Sequence, residues 1–202
     1  YFCERQAYRC ETLNYADIRQ QDLLAWHDLQ PRHIVFCEGH RASRNPWFGR
    51  LPFQLAKGEI LECQASPDMP ADAIINYGDW WLPLGEGRFK LGATFEVDFS
   101  HAQATIDAKQ RLLARLANVA PTLTPLDVIA HHAGIRPTTQ DRQPFIGTHP
   151  HHTHLHVFNG FGAKGSLAIP AYARHFVAWL TRQIPLPTHC DIRRYHETHF
   201  PA

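Results

Sequence analysis

"LHVFNGFGAKGS", residues 155–166, decides between two folds. An apolar run leads into Gly160-x-Gly162-x-x-Gly165, and a segment of helical periodicity follows. In that setting G-x-G-x-x-G marks a dinucleotide-binding βαβ unit, which would make the chain a doubly wound α/β protein. The fingerprint also needs an acidic residue about 20 positions further on, at the end of a buried strand, to hold the ribose. Here the helix runs out into "QIPLPTHC"; Asp191 is the first carboxylate after Gly165, and no buried-type strand precedes it. A Walker loop fails too, because it requires Gly-Lys-Ser/Thr and the order here is Lys164-Gly165-Ser166. The place keeps its physical character nonetheless. Glycines admit a ligand close to the backbone, a helix N-terminus presents free N–H groups, and Lys164 adds a positive charge. Such a site suits an anion or an electron-rich ligand edge. A tight strand-to-helix turn is the alternative, and the stretch alone leaves both open.

The elements around it point away from βαβ alternation. "YFCERQAYRCETL" reads as an edge or hairpin strand, and "QQDLLAWHDL" is ambiguous between short helix and strand. "RHIVFCEG" is a continuous apolar run ending in Gly39, as in a buried, parallel strand. "RASRNPWFGRLPF" is loop, and "KGEILECQA" is a strand. In "DWWLPLGEGRFKLGATFEVDF" two β-rich runs flank "GEG", a hairpin. Residues 100–121 place Ile106, Leu112, Leu113, Leu116 and Val119 at helical spacing, with Ser100 as the expected cap and Pro121 as the stop. "DVIAHHAGIRP", "QPFIG" and "HLHVFNG" are three more strands. The last helix contains Pro170, which predicts a kink or a start near Ile169. This order gives an α+β fold with a mixed, largely antiparallel sheet and flanking helices.

Composition narrows the function classes. The 202 residues carry a formal net charge of +1 and no basic stripe, which gives a nucleic-acid partner no electrostatic support. The apolar runs are too short for a membrane helix. The five cysteines, Cys3, Cys10, Cys37, Cys63 and Cys190, are odd in number and lack a C-x-x-C pair. They read as reduced, buried thiols of a cytoplasmic protein, not as a zinc site. The chain opens at Tyr1 within a strand-like pattern and its one Met is Met69, so we expect a piece of a longer protein.

A second stretch gives the glycine loop its context. "HHAGIRPTTQDRQPFIG", residues 131–147, carries Gly134-Ile135-Arg136-Pro137, then Thr139, Asp141, Pro144 and Ile146-Gly147. With the loop that follows, it resembles the C-terminal part of the FAD-dependent D-amino-acid oxidase superfamily, which includes glycine and sarcosine oxidases. "HIVFCEG", "LAKGEIL" and "WWLPLGEGRFKLGATFE" match in the same order, so the resemblance covers roughly residues 32–182.

The resemblance implies a two-domain flavoenzyme that oxidises an amino acid or related amine, with FAD bound non-covalently in the full-length protein. The N-terminal FAD-binding segment would be the missing partner, and the isolated chain would be inactive. Residues 1–40 would lead back to the FAD domain and 41–132 would form the substrate domain. Residues 133–184 would contact flavin, and 185–202 would be a surface tail. Gly39, Gly134, Gly160, Phe161, Gly162, Ala163, Lys164 and Gly165 would contact the cofactor. Arg136, Lys164 and Trp81 would line the substrate site, with Arg136 pairing the α-carboxylate of a small amine-carboxylate substrate. A structural Arg136 held by Asp141 or a backbone carbonyl is the alternative. No general base is assigned, because the flavin is the electron sink. A tRNA-modifying FAD oxidase and a non-enzymatic binding module are the rival functions.

The histidines invite a metal reading. On a strand His152, His154 and His156 would share a face, but no cysteine or carboxylate joins them, and a solvated turn is the simpler expectation. His131 and His132 precede the arginine and are expected at the pocket or in the core.

Overall fold

The computed structural model describes residues 2–5, 7–20, 23–64, 72–121 and 126–200. The chain divides into two compact units. One comprises Tyr1–Pro52, Gln143–Phe161 and Gly165–Ala202; the other comprises Phe53–Arg142 and Gly162–Lys164. Both combine antiparallel pairing with few helices, the expected α+β class.

The second unit is built on a five-stranded sheet, β5 (Ile75–Asn76), β6 (Trp80–Gly85), β7 (Arg88–Gly92), β4 (Phe53–Gln64) and β8 (Asp127–Thr139), in that spatial order. All its pairings are antiparallel. The expected hairpin joins β6 to β7 through Glu86-Gly87, both at positive φ, as a type I′ connection requires. β4 and β8 pair along nearly their whole length, from Phe53↔Thr139 to Gln64↔Asp127.

One face of this sheet is covered by helix α1 (Ile106–Val119). Ala108, Leu112 and Leu116 recur every fourth residue and are buried, the stripe an amphipathic helix turns to its core. They pack with Leu61, Cys63, Trp81, Phe89 and Leu91. Ile106 and Val119, expected in the apolar period, lie at the two ends of the helix and are exposed. The cap is Thr105, not Ser100: Thr105 Oγ1 accepts from the Ala108 N–H.

A buried ion pair fixes where α1 begins. Glu59 on β4 is fully buried and accepts from Thr105 N–H at 2.8 Å and Thr105 Oγ1–H at 3.0 Å. Lys57, also buried, lies 3.0 Å from the same carboxylate and 3.4 Å from Glu96. His131 Nε2 sits 2.9 Å from Glu59 Oε2 but without hydrogen-bond alignment. Burial alone would raise the Glu59 pKa; the bonds from Thr105 and Lys57 more than offset it, so the carboxyl titrates below its ordinary range.

The first unit holds a three-stranded sheet in the order β3 (Ile34–Phe36), β10 (Leu155–Asn159), β9 (Phe145–Thr148). β3 and β10 are parallel, as the apolar run predicts, and β9 is antiparallel to β10. A separate hairpin pairs β1 (Ile18–Gln20) with β2 (Leu24–Trp26), which resolves the ambiguous segment as strand. The described residues ahead of it, expected as strand, form turn and irregular chain; their alternating pattern finds no partner strand. Helix α2 (Gly165–Arg182) starts ahead of Pro170 and carries it in its second turn, where it removes one ladder donor. Phe176 of α2 packs on Ile146, Leu186 and Cys190. The segment after Pro185 is therefore not a surface tail. Ile192 and Phe200 are buried too, Ile146 N–H donates to Cys190 O at 2.9 Å, and Asp191 bridges Ile146 in parallel. Of the cysteines, Cys63 and Cys190 are buried and the other three are exposed. Among the described residues no helix is long and apolar enough to cross a membrane.

The histidines form no shared face, because β10 begins only at Leu155. His154 is exposed and donates to Arg32 O at 3.0 Å. His156 is buried between His33 Nδ1 and Thr148 Oγ1, each 2.9 Å away, against Phe176 and Trp179. Among the described residues no cluster of three or more metal-ligating side chains is formed.

Two outcomes follow for stability. Glu59→Ala removes the buried partner of Lys57 and leaves it only the longer contact to the partly exposed Glu96; it should cost ~3 kcal/mol in a denaturant titration, whereas Lys57→Met/Glu59→Leu should cost less. Burial, then the neighbouring histidines, lower His156 and His149 from an ordinary 6.5 to about 4. Both are therefore neutral in the fold, and below pH 6.5 the unfolded chain binds the extra protons. The stability they contribute is complete above that pH and is lost as pH falls toward 4. The urea midpoint should fall between pH 7 and pH 5, about two units apart, and His156→Gln should shrink that fall.

Candidate functional site

The face of the five-stranded sheet opposite α1 carries Arg136. Strand alternation puts Ala56, Gly58 and Ile60 of β4 on this face, while Lys57, Glu59 and Leu61 turn to α1. Arg136 on β8 pairs with Ala56, and its side chain runs along the sheet over Gly58. A Cβ on Gly58 would occupy the space of the guanidinium carbon and both its terminal nitrogens. Arg136 Nη1 donates to Thr94 O at 3.1 Å, and the guanidinium stands 6.0 Å from the centre of the exposed Phe95 ring. Thr94 is itself locked: its N–H donates to Glu59 O at 3.1 Å and its Oγ1 accepts from Glu59 N–H at 2.9 Å.

Of the two structural holds expected for Arg136, Asp141 or a backbone carbonyl, the structure shows the carbonyl. The anchor of Arg136 is a backbone carbonyl and, among the described residues, no carboxylate forms an ion pair with it. One of five N–H donors meets Thr94 O. Partial burial lowers the pKa of Arg136, yet guanidinium stays charged in proteins. A guanidinium presents its N–H donors as a planar fork, the shape that matches a carboxylate.

The glycine loop contributes its middle residues to the same unit. Gly162–Lys164 forms one 3₁₀ turn, and a Cβ on Gly162 would press on the Thr138 methyl at 3.3 Å. Thr138 lies two residues from Arg136 on the same face of β8 and donates from Oγ1 to Gln54 O. Ala163 and Lys164 are exposed, and Lys164 forms no ion pair among the described residues. Gly134 pairs with Gly58 and is also exposed, with open space above its Cα.

Two further predicted residues meet in the other unit. Gly39 and Gly160 follow the carboxyl ends of the parallel strands β3 and β10. Both adopt left-handed backbone, with φ of +58° and +79°. The buried Asn159 ties them together: Nδ2 donates to Gly39 O at 2.9 Å and Oδ1 accepts from Gly160 N–H at 2.8 Å. A Cβ at Gly39 would project into open space. The carboxyl edge of parallel strands is where α/β sheets receive ligands. Phe161 packs on Phe158 and Tyr172, and Gly165 opens α2 with ordinary helical dihedrals, so that position does not demand glycine.

Trp81 does not join Arg136. It is buried under α1 and stacked on Phe89, on the other face of the sheet. Alternation gives the Arg136 face to its neighbour Trp80, which reaches toward Gly92 and Ile60. His131 faces Glu59, and the exposed His132 lies 4.0 Å from Glu62. The sequence reading missed Gly58, Thr94 and Asn159. Gly58 had a signal: a glycine inside a predicted strand marks close approach of another group.

The chain is similar to glycine oxidases and to a bifunctional protein of tRNA 5-methylaminomethyl-2-thiouridine biosynthesis. It is 29% identical over 136 residues to glycine oxidase of Pseudomonas putida, covering 67% of this chain and 37% of that protein. It is 29% identical over 164 residues to the tRNA 5-methylaminomethyl-2-thiouridine biosynthesis bifunctional protein MnmC of Aromatoleum aromaticum, covering 70% of this chain and 26% of that one. Glycine oxidase from Geobacillus kaustophilus superposes with a TM-score of 0.71 at 25% identity, over 92% of this chain and 52% of the other. The chain thus spans about a third of the length of the curated glycine oxidase and half of the solved one. The family model described as FAD dependent oxidoreductase matches residues 11–179, and with five-sixths of its length inside that match the chain belongs to this family.

Proposed function

We propose that the chain serves an FAD-dependent oxidation of the C–N bond in a small substrate that carries an amine beside a carboxylate. The observation that carries this reading is Arg136, a half-buried guanidinium braced by the Thr94 carbonyl, with no carboxylate paired to it among the described residues. The substrate carboxylate docks on its free N–H edge. That contact fixes the substrate's orientation and leaves the amine end free to face the cofactor. When bound, FAD supplies the acceptor for the electrons released in the oxidation.

The residues present fit such a cofactor. Gly39 and Gly160, lashed together by Asn159, give the backbone approach that a flat ligand needs, with open space over Gly39. In the unit that carries Arg136, Lys164 and the turn it stands on offer positive charge to the substrate carboxylate. Five unpaired cysteines favour a reducing, cytoplasmic setting.

The similarity to the tRNA-modifying protein supports a second reading, in which the amine-carboxylate is part of a larger substrate. The net charge of +1 leaves this chain without the electrostatics to hold RNA unaided.

Arg136→Leu should raise KM for a small amino acid by ~30-fold or more, the loss expected when one partner of a desolvated charge pair is truncated, with a smaller change in kcat. Arg136→Lys should recover part of it. Steady-state kinetics of the FAD-loaded enzyme decides: an unchanged KM would remove the carboxylate from Arg136. Turnover confined to a tRNA-borne amine would move the assignment to the second reading.

A further inference from the structure

We propose that Gly58 is a positioning residue that sets the place of the Arg136 guanidinium, and through it the preference for carboxylate over neutral substrates. This rests on the reading of Arg136 as the carboxylate partner.

The backbone gives no reason for glycine at this position. Gly58 lies inside the twelve-residue β4, outside the left-handed region, in register with Gly134. A glycine inside a strand weakens it, since it adds backbone entropy and packs no side chain. What position 58 provides is room. The guanidinium fills the space where a Cβ would stand, so the smallest side chain would collide with it. From there it reaches Thr94 O, and Thr94 is held by two bonds to Glu59, the residue next to Gly58. Two adjacent residues of β4 thus define the two supports of one cation, a bare floor and a fixed carbonyl.

The collision is with the tip of a flexible side chain, not with backbone. Alanine at position 58 therefore leaves the fold intact and pushes the guanidinium off its shelf. The displaced cation loses Thr94 O and rotates its fork away from the direction in which a carboxylate arrives. Binding of an uncharged analogue does not depend on that fork.

The test measures binding, free of turnover. Acetate, with acetamide as the neutral control, is titrated calorimetrically into FAD-loaded wild type, Gly58→Ala, Arg136→Gln and the double variant, and each is thermally melted. Gly58→Ala and Arg136→Gln should each raise Kd for acetate ~10-fold or more and leave acetamide unchanged. The double variant should be no worse than Arg136→Gln alone, because both changes remove one interaction. Gly58→Ala should melt at or slightly above the wild-type temperature. Wild-type acetate affinity in Gly58→Ala, an additive double variant, or a large drop in its melting temperature would each overturn the proposal. If Arg136→Gln also keeps wild-type affinity, the carboxylate reading itself fails. If only Gly58→Ala does, the reading stands and the role of Gly58 falls.

Discussion

The two-residue period of β4 is the constraint on which the five-stranded unit depends. Lys57, Glu59 and Leu61 point to α1, and Ala56, Gly58 and Ile60 point the other way. A shift of one residue would put a buried ion pair on the open face and a bare glycine under the helix. The long ladder with β8 fixes the register, and Glu59 fixes the helix by accepting the free N–H and hydroxyl of Thr105. The same residue reaches through its backbone to Thr94, whose carbonyl braces Arg136. Core stability and site geometry in this unit therefore share one strand. Damage to the Lys57–Glu59 pair should be felt at the arginine as well.

The glycine loop divides its labour. Gly160 and Phe161 belong to one compact unit, Gly162–Lys164 to the other, and Gly165 returns to the first. A single G-x-G-x-x-G string thus carries three distinct duties: a left-handed turn at Gly160, a close approach to Thr138 at Gly162, and an ordinary helix start at Gly165.

The sequence made the sheet, both main helices and Arg136 legible because each rests on local periodicity or a short motif. The apolar stretches gave β4 and β8, and the helical spacing of Ile106, Leu112, Leu113, Leu116 and Val119 gave α1, although its buried stripe proves to be Ala108, Leu112 and Leu116. The loop expected to face the cofactor was found as a motif. What escaped was set by pairing across the sheet. Trp80 and Trp81 differ only in which face the hairpin register gives them, and that register is fixed by β7. Gly58 meets Arg136 across 78 residues of sequence; a glycine inside a strand signals a close approach, but no local pattern names the group that approaches. The buried run after Pro185 was hidden by its prolines, which read as loop although Ile146 N–H anchors the segment to β9. His156 looked like part of a solvated cluster because strand β10 starts later than the histidines do.

The central claim is that a carboxylate on the substrate brings an amine to the flavin. The most direct measurement is the visible spectrum of the full-length protein loaded with FAD, recorded without oxygen during titration with a small amino acid and, separately, with its amide. The account predicts that the amino acid bleaches the flavin bands while the amide at equal concentration leaves them unchanged. Equal bleaching by both would contradict the role given to Arg136. A protein that takes up no FAD, or whose flavin neither compound reduces, would contradict the amine-oxidase reading and put a binding module in its place.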